Sequence, residues 1–320
     1  MRVTVLGGTG FIGRHVTRWL VEAGAEVTTI QRGRAPDRLP AARTIVADRT
    51  QSSPLAAALA AAAPQVLVDM IAYSGQDMER LLAALPLSVG RLVVISSGDV
   101  YWTYGAFLGL GSGPAPTGPL DEGSPLRQQL YPYRAQATGP DDPLYWYEKI
   151  TVEQAARAAA GLAVTILRLP MVYGPGDPQR RVGGCLERLR AADGPFHLNA
   201  GEAAWRCTRG YVEDVAWAIG LAALDERAAG EIFNVGEDVA LPEIEWLREV
   251  AAAAGWPGGI VTDAATPPSL PVNWGMPLAV DTSRIRALLR YREPIGRQEG
   301  LRRAIADPGH VGPPSHGSTS

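Results

Sequence analysis

Of the 30 basic residues in this 320-residue chain, Lys149 alone is a lysine; the rest are arginines. A compact ammonium has an adjustable pKa that a guanidinium lacks. Four residues upstream stands Tyr145, in the run Tyr145-Trp146-Tyr147-Glu148-Lys149. On a helix that spacing puts phenol and ammonium on one face. A free phenol titrates near pH 10, too high for a base at neutrality, and a neighbouring cation favours the phenolate. The pair could therefore move a proton. With ten tyrosines in 320 positions, chance alone puts one at that place in about 3 % of cases. The rest of the chain has to decide.

A second chemical signal lies at the start. An apolar stretch, Arg2 to Leu6, runs into Gly7-Gly8-Thr9-Gly10-Phe11-Ile12-Gly13 and then into a helical pattern reaching Ala23. Gly7, Gly10 and Gly13 form G-x-x-G-x-x-G in a strand–turn–helix context. The first glycine permits the tight turn, the second lets a pyrophosphate approach the backbone, and the third lets the helix pack on the sheet. The phosphates would rest on the helix N-terminus. An NAD site usually carries a carboxylate at the end of the second strand. Here that place is Gln31, followed by Arg32-Gly33-Arg34. Two guanidiniums there suit a 2′-phosphate, which favours NADP(H) over NAD(H); the other reading points both arginines to water.

The elements that must hold these groups follow from the pattern. Strands are expected at 2–6, 27–30, 44–47, 66–69, 92–95 and 164–169. Helices are expected over 55–63 and from the Tyr145–Lys149 segment to about 160. The alternation implies a parallel sheet with right-handed crossovers. The fifth strand ends in Ser96-Ser97-Gly98-Asp99, and strand C-termini are where open α/β sheets build their sites. Between 104 and 143 the pattern stops, with fourteen Gly and Pro residues. Tyr131, Tyr133 and Arg134 in this excursion could line a substrate site, or the whole segment could be a surface insertion. Further helices are expected at 182–192, 213–223, 242–254 and 282–289. The organisation expected is a dinucleotide-binding domain over 1–170, a smaller α/β substrate lobe over 171–306, and a disordered tail over 307–320.

Net charge is −3, with arginines scattered among a similar number of acids. No basic footprint suggests nucleic acid. No apolar run is long enough for a membrane span, and a strand expected from residue 2 leaves no room for a signal peptide. A cytoplasmic location is expected. Cys185 and Cys207 lack metal-ligand spacing and are too few for a disulfide framework, so no metal site is expected.

Taken together, the chain resembles the NAD(P)-dependent epimerase/dehydratase branch of the extended short-chain dehydrogenase/reductase superfamily, over about residues 1–305. The resemblance rests on Gly7-x-x-Gly10-x-x-Gly13, Ser96-Ser97-x-x-Val100-Tyr101, Tyr145-x-x-x-Lys149 and Arg168-x-x-x-Val172-Tyr173-Gly174-Pro175-Gly176. Weaker matches are Gly210-Tyr211-Val212-Glu213-Asp214-Val215-Ala216 and Asn234-Val235-Gly236. It implies a Rossmann-type doubly wound parallel sheet, an NAD(P) cofactor, a small-molecule substrate and a homodimer. It also implies that Tyr145 is the acid/base, that Lys149 holds the nicotinamide ribose and lowers the tyrosine's pKa, and that Ser97 binds the reacting oxygen. Asp48 and Arg49 would lie near the adenine and Ala72 beside the cofactor. Hydride would pass between the nicotinamide and a carbon bearing a hydroxyl or carbonyl, in an epimerase or a reductase.

Departures from the family pattern narrow this. The acidic pair that dehydratases carry is here Gly98-Asp99, so one acid remains and dehydration is disfavoured. Met171 stands where many sugar-nucleotide enzymes have asparagine, and it cannot offer the same hydrogen bonds. Arg206 and Arg209 lie near, at shifted offsets from, the arginine that often grips a pyrophosphate. Asp99, Tyr133, Arg206 and Arg209 are thus candidate substrate contacts, with Trp205 and Tyr211 nearby. A different class remains open: some proteins of this fold bind NAD(P) as sensors or scaffolds without turnover.

Overall fold

A computed structural model describes residues 1–33 and 42–307. Arg34, and the tail expected at 307–320 apart from Asp307, lie outside the described residues. The first half alternates strand and helix as expected, with α3 and α4 in addition to the expected elements: β1 (Arg2–Leu6), α1 (Gly13–Glu22), β2 (Glu26–Gln31), β3 (Arg43–Val46), α2 (Ser52–Ala62), β4 (Val66–Asp69), α3 (Gly75–Ala83), β5 (Arg91–Ser97), α4 (Trp102–Phe107), α5 (Lys149–Arg157) and β6 (Ala163–Leu169). Strands such as Val66-Leu67-Val68 and Leu92-Val93-Val94 are apolar without alternation and fully buried. That is the mark of a parallel sheet covered on both faces. Each fully buried Val or Leu there contributes about 1.5–3 kcal/mol.

The later elements are β7 (Met171–Tyr173), α6 (Arg181–Arg190), β8 (Phe196–Asn199), α7 (Ala200–Ala204), β9 (Arg209–Tyr211), α8 (Val212–Leu224), β10 (Ile232–Asn234), α9 (Glu243–Ala253), β11 (Ile260–Asp263), α10 (Ser283–Leu289) and α11 (Arg297–Ala306). The main sheet has seven strands among the described residues, in the order β10-β6-β5-β4-β1-β2-β3, and every pairing in it is parallel. The expected doubly wound α/β architecture is therefore present. The chain leaves β1 toward β2 and β3, then returns to the other side of β1 as β4. That reversal is the switch point where open α/β sheets take ligands, at the carboxyl ends of the strands.

The line near residue 170 is crossed twice. β10 joins the main sheet beside β6, and α8 packs on α1. One apolar cluster runs from Val3 and Val16 through Val215 and Ile219 to Leu301. Outside the main sheet, β7 pairs with β9 and β8 with β11. Among the described residues no helix is long and apolar enough to cross a membrane. The excursion from 104 to 143 is irregular after α4, apart from single turns.

Candidate functional site

The glycine turn sits at the carboxyl end of β1. Gly7 has a φ of +81°, its amide bonds Ile30 O at 3.2 Å, and Gly10 N bonds Gly7 O at 3.1 Å. A Cβ on Gly13 would lie 2.1 Å from Gly7 O, so the first turn of α1 closes onto the loop only with glycine there. Gly10 is exposed, while Thr9, Phe11 and Ile12 flank it partly buried. No side chain caps α1. Its N-terminus is thus left facing outward, as an anion site requires.

Around this turn the structure offers a fit for a dinucleotide. At the end of β2, Gln31 is buried and both of its amide atoms have no hydrogen-bond partner among the described residues. Arg32 follows, exposed. Asp48, partly buried, accepts hydrogen bonds from the backbone and hydroxyl of Thr50, both at 2.8 Å. Arg49 is buried in a two-pronged ion pair with Asp69 at the end of β4, at 2.7 and 3.0 Å. It braces the loop after β4 rather than standing free. Ala72 in that loop is buried, and Ile71 lies against the Cα of Gly7.

Lys149 opens α5 and is 4 % exposed. Its ammonium donates to Ala72 O at 2.7 Å and Ile95 O at 2.9 Å, tying the end of β4 to that of β5. Burial pulls its pKa down to about 8, against the opposing pull of Asp69 and Asp99. Ser97 closes β5 and is partly buried; its hydroxyl accepts from Asp99 N at 3.2 Å, shaping the turn that follows.

Tyr145 departs from its expected place. The helix begins at Lys149, not upstream of Tyr145. Tyr145 sits in the preceding turn, where its amide bonds Asp142 O at 3.0 Å. Its ring lies under Arg134, 4.7 Å from the guanidinium carbon, in a group with Tyr131 and Trp146. The phenol that faces Ser97 is Tyr147. Its hydroxyl interacts with both Ser97 and Asp99. Burial, then the charge of Asp99, push its pKa well above the ordinary phenol value.

Helix capping explains the shift. Glu148 is extended, with φ −159° and ψ 101°, and its carboxylate accepts from Ile150 N at 2.9 Å. Its amide donates to Tyr73 O at 2.7 Å, which pulls the segment away from the helix path. In extended chain, residues two apart share a side; Tyr147 and Lys149 are such a pair. The Lys149 ammonium lies 5.7 Å from the centre of the Tyr147 ring.

A cavity of about 280 Å³ opens above these groups, lined by Ser97, Asp99, Tyr104, Tyr133, Tyr147, Met171 and Arg181, among others. Tyr133 donates to Asp99 Oδ2 at 3.1 Å, and its hydroxyl is 2.8 Å from that of Tyr104. Burial raises the pKa of the Asp99 carboxyl; Arg127 opposes this. Of the expected substrate contacts, Asp99 and Tyr133 line the cavity. Arg206 and Arg209 do not. Arg206 is exposed and bonds Ala240 O at 2.9 Å. Arg209 is buried against Glu243 at 2.5 Å and over the Trp246 ring. Trp205 is core, stacked on Phe107 with its indole N–H donating to Met276 O. Tyr211 is equally buried and donates to Glu213. The guanidiniums that do reach the cavity are Arg168 and Arg181, each already bonded to an acid, Glu153 and Asp177.

Comparison with known proteins places the chain by family and fold. The family model described as NAD dependent epimerase/dehydratase family matches residues 3–236. A 2′-dehydrokanamycin reductase of Streptomyces kanamyceticus is 29 % identical over 282 residues, covering 86 % of this chain and 70 % of that protein. A 3-diazoavenalumate denitrifying reductase of a Streptomyces species is 28 % identical over 320 residues, covering 92 % and 95 %. Among solved structures, a dTDP-glucose 4,6-dehydratase of Streptomyces venezuelae with NAD bound has a TM-score of 0.68 at 25 % identity, covering 95 % and 96 %. The UDP-glucose 4-epimerase of Thermus thermophilus with NAD has a TM-score of 0.67 at 23 % identity, covering 95 % and 98 %.

Proposed function

Because the chain belongs to the NAD dependent epimerase/dehydratase family, we propose that it is an NAD(P)-dependent oxidoreductase acting on a hydroxyl- or carbonyl-bearing carbon of a small polar substrate. One observation carries this: Ser97 and a phenol line the cavity at the strand ends that also hold the glycine turn, and the Lys149 ammonium lies 5.7 Å from the centre of that phenol's ring. The dinucleotide, held by Gly7, Gly10, Gly13 and the end of β2, would supply or accept the hydride. Ser97 orients the reacting oxygen by its hydroxyl. The phenol moves the proton. Lys149 holds a positive charge beside the phenol and would hold the nicotinamide ribose. Tyr133 and Asp99 give the substrate a polar wall.

Reduction is the direction this geometry favours. The phenol facing Ser97 is held protonated by burial and by Asp99, as a proton donor to a carbonyl must be. Relatives named as reductases accord with this. NADP(H) is favoured over NAD(H): the end of β2 offers Gln31 and Arg32 and no carboxylate. The cavity is at the small end for ligand sites, and Met171 in its wall offers no hydrogen bond in place of the asparagine of sugar-nucleotide enzymes. Substrates of one ring or less suit it better than a nucleotide-sugar.

The test is the loss of NADPH absorbance against a broad panel of ketones, aldehydes and keto-sugars, with epimerisation followed separately. Turnover of a carbonyl compound is expected. Saturable NADPH binding with no turnover and no epimerisation would instead mark a sensor or scaffold.

A further inference from the structure

Resting on that reading, we infer that Tyr147, two residues before Lys149, is the residue that delivers the proton to the substrate oxygen, and that Tyr145 is structural. Three observations converge. Tyr147 lines the cavity and Tyr145 does not. The Tyr147 hydroxyl interacts with Ser97 and Asp99, whereas the Tyr145 ring is engaged by Arg134, whose Nε also donates to Tyr145 O at 3.1 Å. And the extended Glu148 puts Tyr147 on the side of Lys149. The Tyr145 side is already occupied by the Tyr131–Arg134–Trp146 cluster, so a rotation bringing Tyr145 in would have to break that stack and the Glu148 cap together.

The step balances simply. The carbonyl carbon gains a hydride, hence two electrons, from the reduced dinucleotide. The C=O π bond breaks, and the oxygen takes the proton from Tyr147, leaving a phenolate beside the Lys149 ammonium. Asp99 acts as a positioning residue. It faces the Tyr147 hydroxyl and is itself fixed by Tyr133, which lies edge-on to the Tyr147 ring at 5.2 Å. The groups facing the phenol are therefore Ser97 and Asp99 from the β5 end, Lys149 from α5, Tyr73 from the loop after β4, and Tyr104 and Tyr133 from the excursion.

Tyr145→Phe and Tyr147→Phe, each isosteric, separate the two phenols. Tyr147→Phe is expected to lower kcat by about a hundredfold or more, with NADPH affinity and melting temperature little changed. Tyr145→Phe is expected to keep most of kcat. The reverse pattern, or two variants of near wild-type activity, overturns the assignment. A second readout needs no substrate. Adding NADP⁺ brings a positive ring near the catalytic phenol and should raise tyrosinate absorbance at a lower pH. That increment should survive in Tyr145→Phe and vanish in Tyr147→Phe. Its absence from the wild type, or its loss in Tyr145→Phe, counts against Tyr147. If no compound is turned over while the increment behaves as expected, the oxidoreductase reading fails and the Tyr147 placement stands.

Discussion

Arg127 and Glu148 form an ion pair of 2.9 Å with side chains only 1 % and 0 % exposed. The same carboxylate accepts from Ile150 N and from Tyr131 N, and Arg127 also donates to Asp99 O and Gln129 O. One pair of charges thus starts α5, anchors the excursion and sets the turn beneath the cavity.

Removing one member should be costly. Arg127→Met leaves a buried carboxylate without its cation, and such losses run to about 3–5 kcal/mol. The double variant Arg127→Met with Glu148→Met should recover part of it, since no lone charge remains. Urea unfolding of the two singles and the double measures this; a double variant no better than the sum of the singles would contradict it.

Gly13→Ala should weaken dinucleotide binding while leaving most of the fold. The added methyl would have to occupy a point 2.1 Å from Gly7 O, so α1 must back away from the turn. Fluorescence titration with NADPH should show a weakening of about tenfold or more, equivalent to at least 1.4 kcal/mol.

Arg32→Ala should lower the preference for NADPH over NADH by weakening NADPH alone. A charge-assisted contact to phosphate contributes on the order of 1.5–3 kcal/mol. Parallel titrations with the two dinucleotides read it. Equal losses for both would assign Arg32 to some other part of the cofactor.

Lys149 should give the protein an alkaline rise in stability. Its pKa falls from 10.5 to about 8 on folding. Below that range it is charged in both states, and the fold bears the cost of burial. Through the range the folded form sheds its proton first, so the unfolded form binds more protons and stability rises with pH. Lys149→Met should flatten this component, worth up to about 3 kcal/mol. The difference between wild-type and variant unfolding curves across the window isolates it from tyrosine titration.

His15, on α1, works at the acid end. Burial lowers its pKa from 6.5 to about 4. It contributes stability above 6.5 that is lost as pH falls toward 4, where the folded form finally accepts the proton. His15→Gln should melt at a temperature that varies less across that interval than the wild type does.

The sheet was legible because its strands are apolar runs whose period and punctuation leave little choice; Arg2–Leu6 and Val66–Asp69 fall where the pattern puts them. The short strands β7, β9 and β10 were not, since three residues carry no period. The start of α5 misled for a physical reason. The Tyr145-x-x-x-Lys149 spacing suits one face of a helix, and Asp142 does accept from Leu144 N at 2.9 Å. Yet the chain makes only a turn there, and glutamate, a weak capping residue in general, takes the role at 148 because Arg127 waits for it 21 positions away. No local signal carries that partner. The arginines near 206 failed similarly: their acceptors, Ala240 and Glu243, come from a later segment.

The bonds of Lys149 also account for its being unique in the chain. An ammonium has three hydrogens to place. Two go to the carbonyls of Ala72 and Ile95, which leaves a single one to point elsewhere. A guanidinium has five, in a rigid plane. Put in the same socket, it would satisfy the two carbonyls and then have three more donors in a buried place, two beyond the lysine's remainder. The position is thus defined by valence: it accepts a cation with one hydrogen to spare. Arginine fills every other Lys/Arg position in the chain; here its donor count does not close.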